Sequence, residues 1–382
     1  NAIQAIPENI EGTIAVASNK LQNTSGGSGN GYAYQAITTE VGKVYVVSAD
    51  YTDDTGTNAL MWVGTTAGGG QTATTTFTTT GSYNVTFTAT ATTHYIRVGA
   101  NEPSASLVYL FDNISVRLAE EDRSVNGNGL QVFGTVTKNP VATGADLVAY
   151  SGFSGSNYLE QPYNSDLDFG TGDFCVMGWV KGSSTGNEYV LSRTKKGDGS
   201  NPRFGVRGST DTSIAFNVSG SVVADTGVYV SGVWQQFIFA RKNGTIYGYI
   251  NGKQKSSEVA SSTLTLSDSG LFIGNWGTSI PSNALAFGGS LALLRISATA
   301  PSPEQIKKIY EDEKYLFQEN AQATLYGSSD AVTALAYDDS TELLHVGTSA
   351  GRSDFQGLRR VNNTTNAVGA AISASNGMIV EE

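Results

Sequence analysis

From Ser156 to Tyr310 the chain alternates apolar and polar residues with period two, in short runs that each stop at Gly, Asn, Asp or Ser. Runs of this kind, closed by turn formers at hairpin spacing, predict antiparallel strands. One of them, FCVMGWV, constrains the fold further. Phe174, Val176 and Gly178 fall on one face of its strand, and Cys175, Met177 and Trp179 on the other. A strand apolar on both faces is covered on both sides, as in a stacked pair of sheets.

Three blocks in order carry a family resemblance. LDFGTGDFCVMGWV, from Leu167, resembles the opening strand of the laminin-G-like, concanavalin A-like jelly rolls. GVWQQFIFARKNGTIYGYINGKQ, from Gly232, resembles the central hairpin of that family, and the stretch from LFIGNW at Leu271 to Glu313 resembles its last strands and trailing helix. The resemblance implies a jelly-roll sandwich over 156–301. It implies no single activity, because this fold hosts lectins, hydrolases, receptors and plain spacers.

A chain of 382 residues predicts two or three domains. Its one cysteine, Cys175, excludes an intramolecular disulfide and reads as a small buried hydrophobe inside a core strand. Only 15% of residues are charged, the formal net charge is −11 and the pI is near 4.7. That balance fits a turn-rich extracellular or virion protein, and it argues against a nucleic-acid partner, whose backbone needs basic patches. No apolar run approaches membrane-spanning length, so membrane insertion is not expected, and no signal peptide is recognisable. Asn1 in place of Met is expected of a processed or truncated chain.

Residues 1–119 read as a first sandwich. GYAYQAI, KVYVVSADY, the Thr-rich run from Thr75 to Ala91, HYIRVGA and LVYLFDNISVRL all alternate with period two. In this order, and above all in the ending YLFDNISV, they resemble the carbohydrate-binding-module-like jelly rolls. The opening strand with its Trp is unclear before Ile14. In many such modules the acidic residue of the last strand helps hold a structural calcium. Carried over, that residue is Asp112, which alternatively caps a turn. No cofactor is otherwise required.

Residues 120–155 combine linker chemistry (AEEDRSVNGNG) with β-patterning that supplies the first strands of the next domain. Residues 302–320 predict the one helix, with Ser302 as N-cap, Pro303 at its first position and Gln305 closing a capping box. Ile306, Ile309, Tyr310 and Phe317 share its packing face with one polar exception, Glu313. In 321–382, ALAYDDSTELLHVGTSAG resembles one blade of a WD-like β-propeller. About 60 residues make one blade only, which cannot close a propeller and leaves sheet edges open. The segment therefore either associates with copies of itself, most simply as a trimer, or docks on the preceding jelly roll; self-association is the expectation. Arg352, Arg359 and Arg360 are expected near Asp338, Asp339 and Glu342 of the same or an adjacent copy. The predicted fold class is all-β: two tandem jelly-roll sandwiches, a helix, and a short β-rich C-terminal segment.

Catalytic motifs are missing. His94 and His345 read as separate strand-surface residues. No nucleophile elbow or phosphate loop occurs, and the only close acidic cluster, Glu311 to Glu313, is on the helix rather than paired across a strand as glycosidases require. Asn164, Asp166 and Asp168, with Asp173 following, alternate as calcium ligands can, or serve turn geometry. Sugar rings stack on exposed aromatic faces. Tyr32, Tyr34 and Trp62 are the glycan-binding candidates of the first domain, and Tyr158, Tyr163, Tyr189, Arg193 and Trp276 those of the second; core packing is the competing role for each. The module order resembles bacteriophage tail or head fibre proteins, which implies a virion protein partnered by a host-surface glycan, by its own copies and by other virion proteins. A bacterial surface adhesin or filament subunit, and a polysaccharide-active enzyme, are the alternatives.

Overall fold

A computed structural model describes residues 12–26, 31–56, 58–101, 106–120, 129–182, 187–195, 204–208, 213–219, 221–227, 229–260, 262–265, 269–277, 280, 285–328 and 331–382, with the backbone of Gln4–Ala5. Strands dominate, and all named pairs are antiparallel. In the first sandwich a five-stranded sheet runs in the order Gln4–Ala5, Tyr32–Thr38, Thr93–Ala100, Ala59–Thr66, Gly69–Phe77. It covers a second sheet built from Gly12–Ala17, Lys20–Ser25, Val108–Glu120, Val44–Asp53 and Gly81–Thr88. Between them lie Tyr51, Met61, Phe77, Val98, Tyr109 and Phe111, all buried. These residues occupy alternate strand positions, which is why the period-two pattern of 1–119 predicts the layer.

The second sandwich stacks a seven-stranded sheet on the strands Leu130–Phe133, Tyr158–Gln161, Gly270–Ile273, Tyr189–Thr194, Phe204–Gly208, Ile214–Val218 and Ser221–Asp225. Phe174–Lys181 sits inside the seven-stranded sheet, between Gln235–Lys242 and Ser290–Ser297. Both of its faces are covered, as the sequence requires. Phe174 and Val176 meet Phe204, Phe216 and Phe239 between the sheets, while Cys175 and Met177 meet Ile306 of the helix. Burial pushes the Cys175 thiol up to about 12, so it is an inert core group.

The helix spans Pro303–Glu313 and has the expected capping box, then tightens into a 3-10 turn, Lys314–Phe317, rather than running on to Asn320. The tightening follows from what its last turn must reach. Trp179 lies against Phe317 at 4.2 Å and Tyr310 at 5.7 Å between ring centroids. Its Nε1 donates to Glu313 Oε2 at 2.6 Å, and Arg295 Nη2 pairs with Glu313 Oε1 at 2.5 Å. The one polar residue on the packing face is thus the group that latches the helix to the sheet.

The two sandwiches share a sheet of twelve strands. The end of Val108–Glu120 pairs with Leu130–Phe133 through Ala119↔Gln131 and Glu120↔Leu130. The Arg117 guanidinium lies 3.8 Å over the Phe133 ring, which stacks on Tyr158 at 4.5 Å. Glu120 accepts from Lys138 and Tyr150 across the same joint.

The C-terminal segment forms a four-stranded meander, Val332–Asp338, Leu343–Thr348, Gly351–Gln356 and Arg359–Thr364, and a hairpin of Ile372–Ser375 with Met378–Glu381. It touches the rest of its own chain through Leu358 N–H donating to Asp312 O, and through Ala323 N–H and the Thr324 hydroxyl donating to Asp146 Oδ2 of the second sandwich. His345 is buried rather than on the surface, because it faces Asp354 across a hairpin, with Nδ1 2.6 Å from Oδ1. Arg352 pairs with Asp354 and Glu381. Arg359 and Arg360 donate to Gln318 and Gln322. Within one copy, these arginines therefore pair with other groups than Asp338, Asp339 and Glu342.

Asp338 instead closes a turn. Hydrogen bonds from the Ser340 hydroxyl and the Gly377 and Ser340 amides lower its pKa to about 2. A depressed carboxylate contributes stability above its unfolded pKa and loses it as pH falls through the folded value. The turn is therefore expected to hold at pH 3 and to loosen only near about pH 2, an outcome that carboxyl titration by NMR checks. In D338N the acid-induced step is expected to vanish.

Candidate functional site

The five-stranded sheet of the first sandwich has an inner face of Ala33, Met61, Ile96 and Val98 and an outer face that the alternation leaves to other residues. Cross-strand register aligns that outer face. Tyr34, Arg97, Trp62 and Thr74 lie in one row across four strands, and Tyr32, Gly99, Leu60 and Thr76 in the next. The row sequence comes from strands that are far apart in the chain, since Thr93–Ala100 lies between Tyr32–Thr38 and Ala59–Thr66.

Arg97 is the centre of this face. Its Cζ lies 3.8 Å from the ring centroid of Tyr32 and 3.8 Å from that of Trp62, so the guanidinium is held between two aromatic rings. Tyr34 packs beside Tyr95 at 6.0 Å. A Cβ at Gly99 would sit 2.6 Å from the Tyr32 Cβ; glycine there lets Tyr32 approach across the strand pair. Tyr32, Tyr34, Trp62 and Tyr95 are half-buried, whereas Arg97 is 5% exposed. Burial lowers the Arg97 pKa, against a partial opposing effect of Tyr32.

All three first-domain candidates thus come together, and the structure adds Tyr95 and Arg97. The run HYIRVGA held the signal: its alternation puts Tyr95 and Arg97 opposite Ile96 and Val98. His94, expected on the strand surface, is buried, with Nδ1 2.9 Å from Thr39 Oγ1, and its pKa is lowered by burial.

Second-domain candidates are placed otherwise. Tyr158, Tyr189 and Arg193 are buried, which corrects their reading as exposed contacts. Tyr158 is enclosed by Phe133 and Phe272, and Tyr189 stacks on Trp276 at 5.7 Å. These aromatics spend their faces on one another. Arg193 pairs with Asp168 at 2.5 Å, and Tyr163 donates to the same carboxylate at 2.9 Å. The calcium pattern of that loop resolves into turn and core roles as well. Asn164 caps the 3-10 turn by accepting from Asp166 N–H, and Asp173 accepts from Asn243 N–H.

Asp112 faces Asp50 directly across the strand pair at a bulge. Its Oδ1 accepts from Asn113 N–H at 2.8 Å, and Asp50 accepts from Ser82 and Asn113 at 2.5 and 2.7 Å. Among the described residues no three His, Cys, Asp or Glu side chains gather to hold a metal.

Residues 153–307 match the family model described as the concanavalin A-like lectin/glucanases superfamily. In its stacked antiparallel sheets this stretch is similar to the concanavalin A-like jelly rolls. The matched residues contain the double-faced strand, the central hairpin and the start of the latched helix. No curated protein matches the chain in sequence. Among solved structures, domain 4 of an extracellular GH43 arabinanase from Geobacillus stearothermophilus, solved with arabinotriose, is 19% identical over 46% of this chain and 82% of its own, with a TM-score of 0.35. The heptameric SAP-like pentraxin of Limulus polyphemus is 14% identical over 37% and 70%, at 0.31. The binding domain of botulinum neurotoxin DC, solved with rat synaptotagmin II, is 14% identical over 62% and 59%, at 0.40.

Proposed function

We propose that the chain is a non-catalytic glycan-binding structural protein of a bacteriophage tail or head fibre, and that the outer face of its first sandwich is the binding surface. The observation that carries the reading is Tyr32, Trp62 and Tyr34 grouped around Arg97 on one sheet face. Sugar rings bury their apolar faces on such rings, and polar groups beside them read the hydroxyls. The lectin-type jelly roll at 153–307 supports a recognition role. The module order, two sandwiches followed by a short β tail, supports placement on a virion. Labelled antibody that decorates phage particles in electron micrographs agrees with this placement, and labelling of bacterial envelopes alone contradicts it.

Binding is tested with a panel of neutral and acidic soluble polysaccharides in affinity electrophoresis. The full chain is expected to be retarded by at least one of them. Trp62→Ala is expected to weaken that retardation about tenfold or more, the usual size for an aromatic anchor. Undiminished binding by a folded W62A protein would contradict the assignment.

We also infer that residues 321–382 associate with copies of themselves. Leu335 and Tyr337, 60% and 55% exposed, and Met378 and Val380 leave apolar surface uncovered. A chain ending at Asn320 is expected to have a smaller oligomeric state by light scattering than the full chain. Equal states would contradict self-association and leave the segment its contacts with its own helix and with Asp146 of the second sandwich.

A further inference from the structure

The Arg97 side chain points to the chemical class of the ligand. We propose that the outer face of the first sandwich selects a sugar that carries a carboxylate, with the Arg97 guanidinium as the group that receives it. The inference rests on the reading of that face as a glycan platform and adds the class of glycan.

A platform for neutral sugars needs aromatic faces and neutral hydrogen-bonding groups; it does not need a buried cation. Burying a guanidinium is unfavourable unless its charge and its donors are met. Arg97 is 5% exposed, its Nε has no hydrogen-bond partner, and no carboxylate is among the groups acting on its ionisation. The other buried arginines among the described residues differ, and Arg352 pairs with Asp354 and Glu381. Arg193 meets Asp168, and Arg241 donates to three backbone carbonyls. Arg97 has only the Tyr32 and Trp62 rings, each 3.8 Å from Cζ. Cation–π contacts offset part of the cost of burial but accept no hydrogen bond in the guanidinium plane.

The geometry also fixes how an anion can arrive. All five guanidinium donors lie in one plane, and with Cζ 3.8 Å from both the Tyr32 and the Trp62 ring, the approach we infer for a ligand is along the edge of that plane. A carboxylate is planar, fits between two rings and accepts two parallel hydrogen bonds from such an edge. A tetrahedral sulfate fits that slot less well. The sugar ring bearing the carboxylate then lies beside Trp62 and Tyr34, the neighbours of Arg97 in its row. The chain as a whole is at −11 and offers polyanions no long-range attraction, so a preference for acid must come from this local contact.

Calorimetry on the full chain tests the proposal with matched pairs: trigalacturonate and its methyl ester, hyaluronan oligosaccharide and its methyl ester, sialyllactose and lactose, with sulfated lactose alongside. The free acid of at least one pair is expected to bind about tenfold or more tightly than its neutral partner, or about 1.4 kcal/mol. Arg97→Gln is expected to abolish that preference, read as the ratio of acid to neutral-partner affinity within the variant itself. Arg97→Lys, which restores charge without the planar fork, is expected to recover only part of it. Melting curves confirm that each variant is folded, and if R97Q does not fold, the matched pairs on the native chain decide alone. Equal binding of acid and ester in every pair, preference for sulfate, or binding of neutral glycans only would overturn the carboxylate inference and leave the platform reading standing. Binding of no member, together with no retardation by any polysaccharide of the panel, fells both.

Discussion

Trp179→Ala is expected to destabilise the second sandwich by about 3 to 5 kcal/mol, the usual cost of emptying a large aromatic site. The indole is 2% exposed and lies against Phe317 and Tyr310, and Trp234 also packs on Phe317 at 4.9 Å. Removing it opens a cavity beneath the helix. It also takes a donor from Glu313, a carboxylate 2% exposed that then keeps Arg295 and Gln236. Most domains are stable by only about 5 to 15 kcal/mol, so the loss is large on that scale. Trp179→Phe keeps an aromatic ring and loses the Nε1 hydrogen bond; about 1 to 3 kcal/mol is expected for it. Denaturant midpoints of the two variants check the order. A W179A protein within about 1 kcal/mol of the parent would mean that the helix is not held as described.

Arg241→Ala is expected to cost about 3 to 5 kcal/mol, close to the penalty for breaking a buried charge network. The side chain is 1% exposed, and each nitrogen has a carbonyl: Nε donates to Gly172 O at 2.7 Å, Nη1 to Ser262 O at 2.9 Å and Nη2 to Gly170 O at 2.7 Å. Gly170 has φ +52°, where glycine is favoured, so the GTG loop is shaped by backbone and then pinned by this one side chain. Alanine takes this donor from the Gly172 and Ser262 carbonyls, whereas Gly170 O keeps Leu264 N–H at 2.8 Å. Lysine cannot serve three acceptors in a plane, so Arg241→Lys is expected to recover little. Thermal unfolding checks both variants, and a K variant as stable as the parent would contradict the fork geometry.

These two sites also show what the sequence holds. Trp179 is readable as core because its strand is apolar on both faces, and the Ser302–Gln305 capping box places the helix start. Arg241 pairs with Phe174 across strands whose blocks carry the family resemblance. The sandwich over 156–301 is legible because its strands are short, regular and closed by turn formers. The tight turn after Glu313 is less legible, since it answers to partners on distant strands.

The candidate face was half legible for the same reason. Alternation places Tyr32, Tyr34 and Trp62 on outer positions of their strands. It does not say that Thr93–Ala100 runs between those strands, so the place of Arg97 follows only from register. Tyr158 and Tyr189 are on outer positions too, and nothing in their period reveals that Phe133, Phe272 and Trp276 cover them. His345 and Asp354 are nine residues apart and meet only because their hairpin registers them.

Hydrogen–deuterium exchange of the full chain, with and without the panel polysaccharide that it binds most tightly, tests the central claim most directly. Slowed exchange is predicted in Tyr32–Thr38, Ala59–Thr66 and Thr93–Ala100, the strands that carry Tyr32, Tyr34, Trp62, Tyr95 and Arg97. Protection confined to 153–307, with those three strands unchanged, would contradict it.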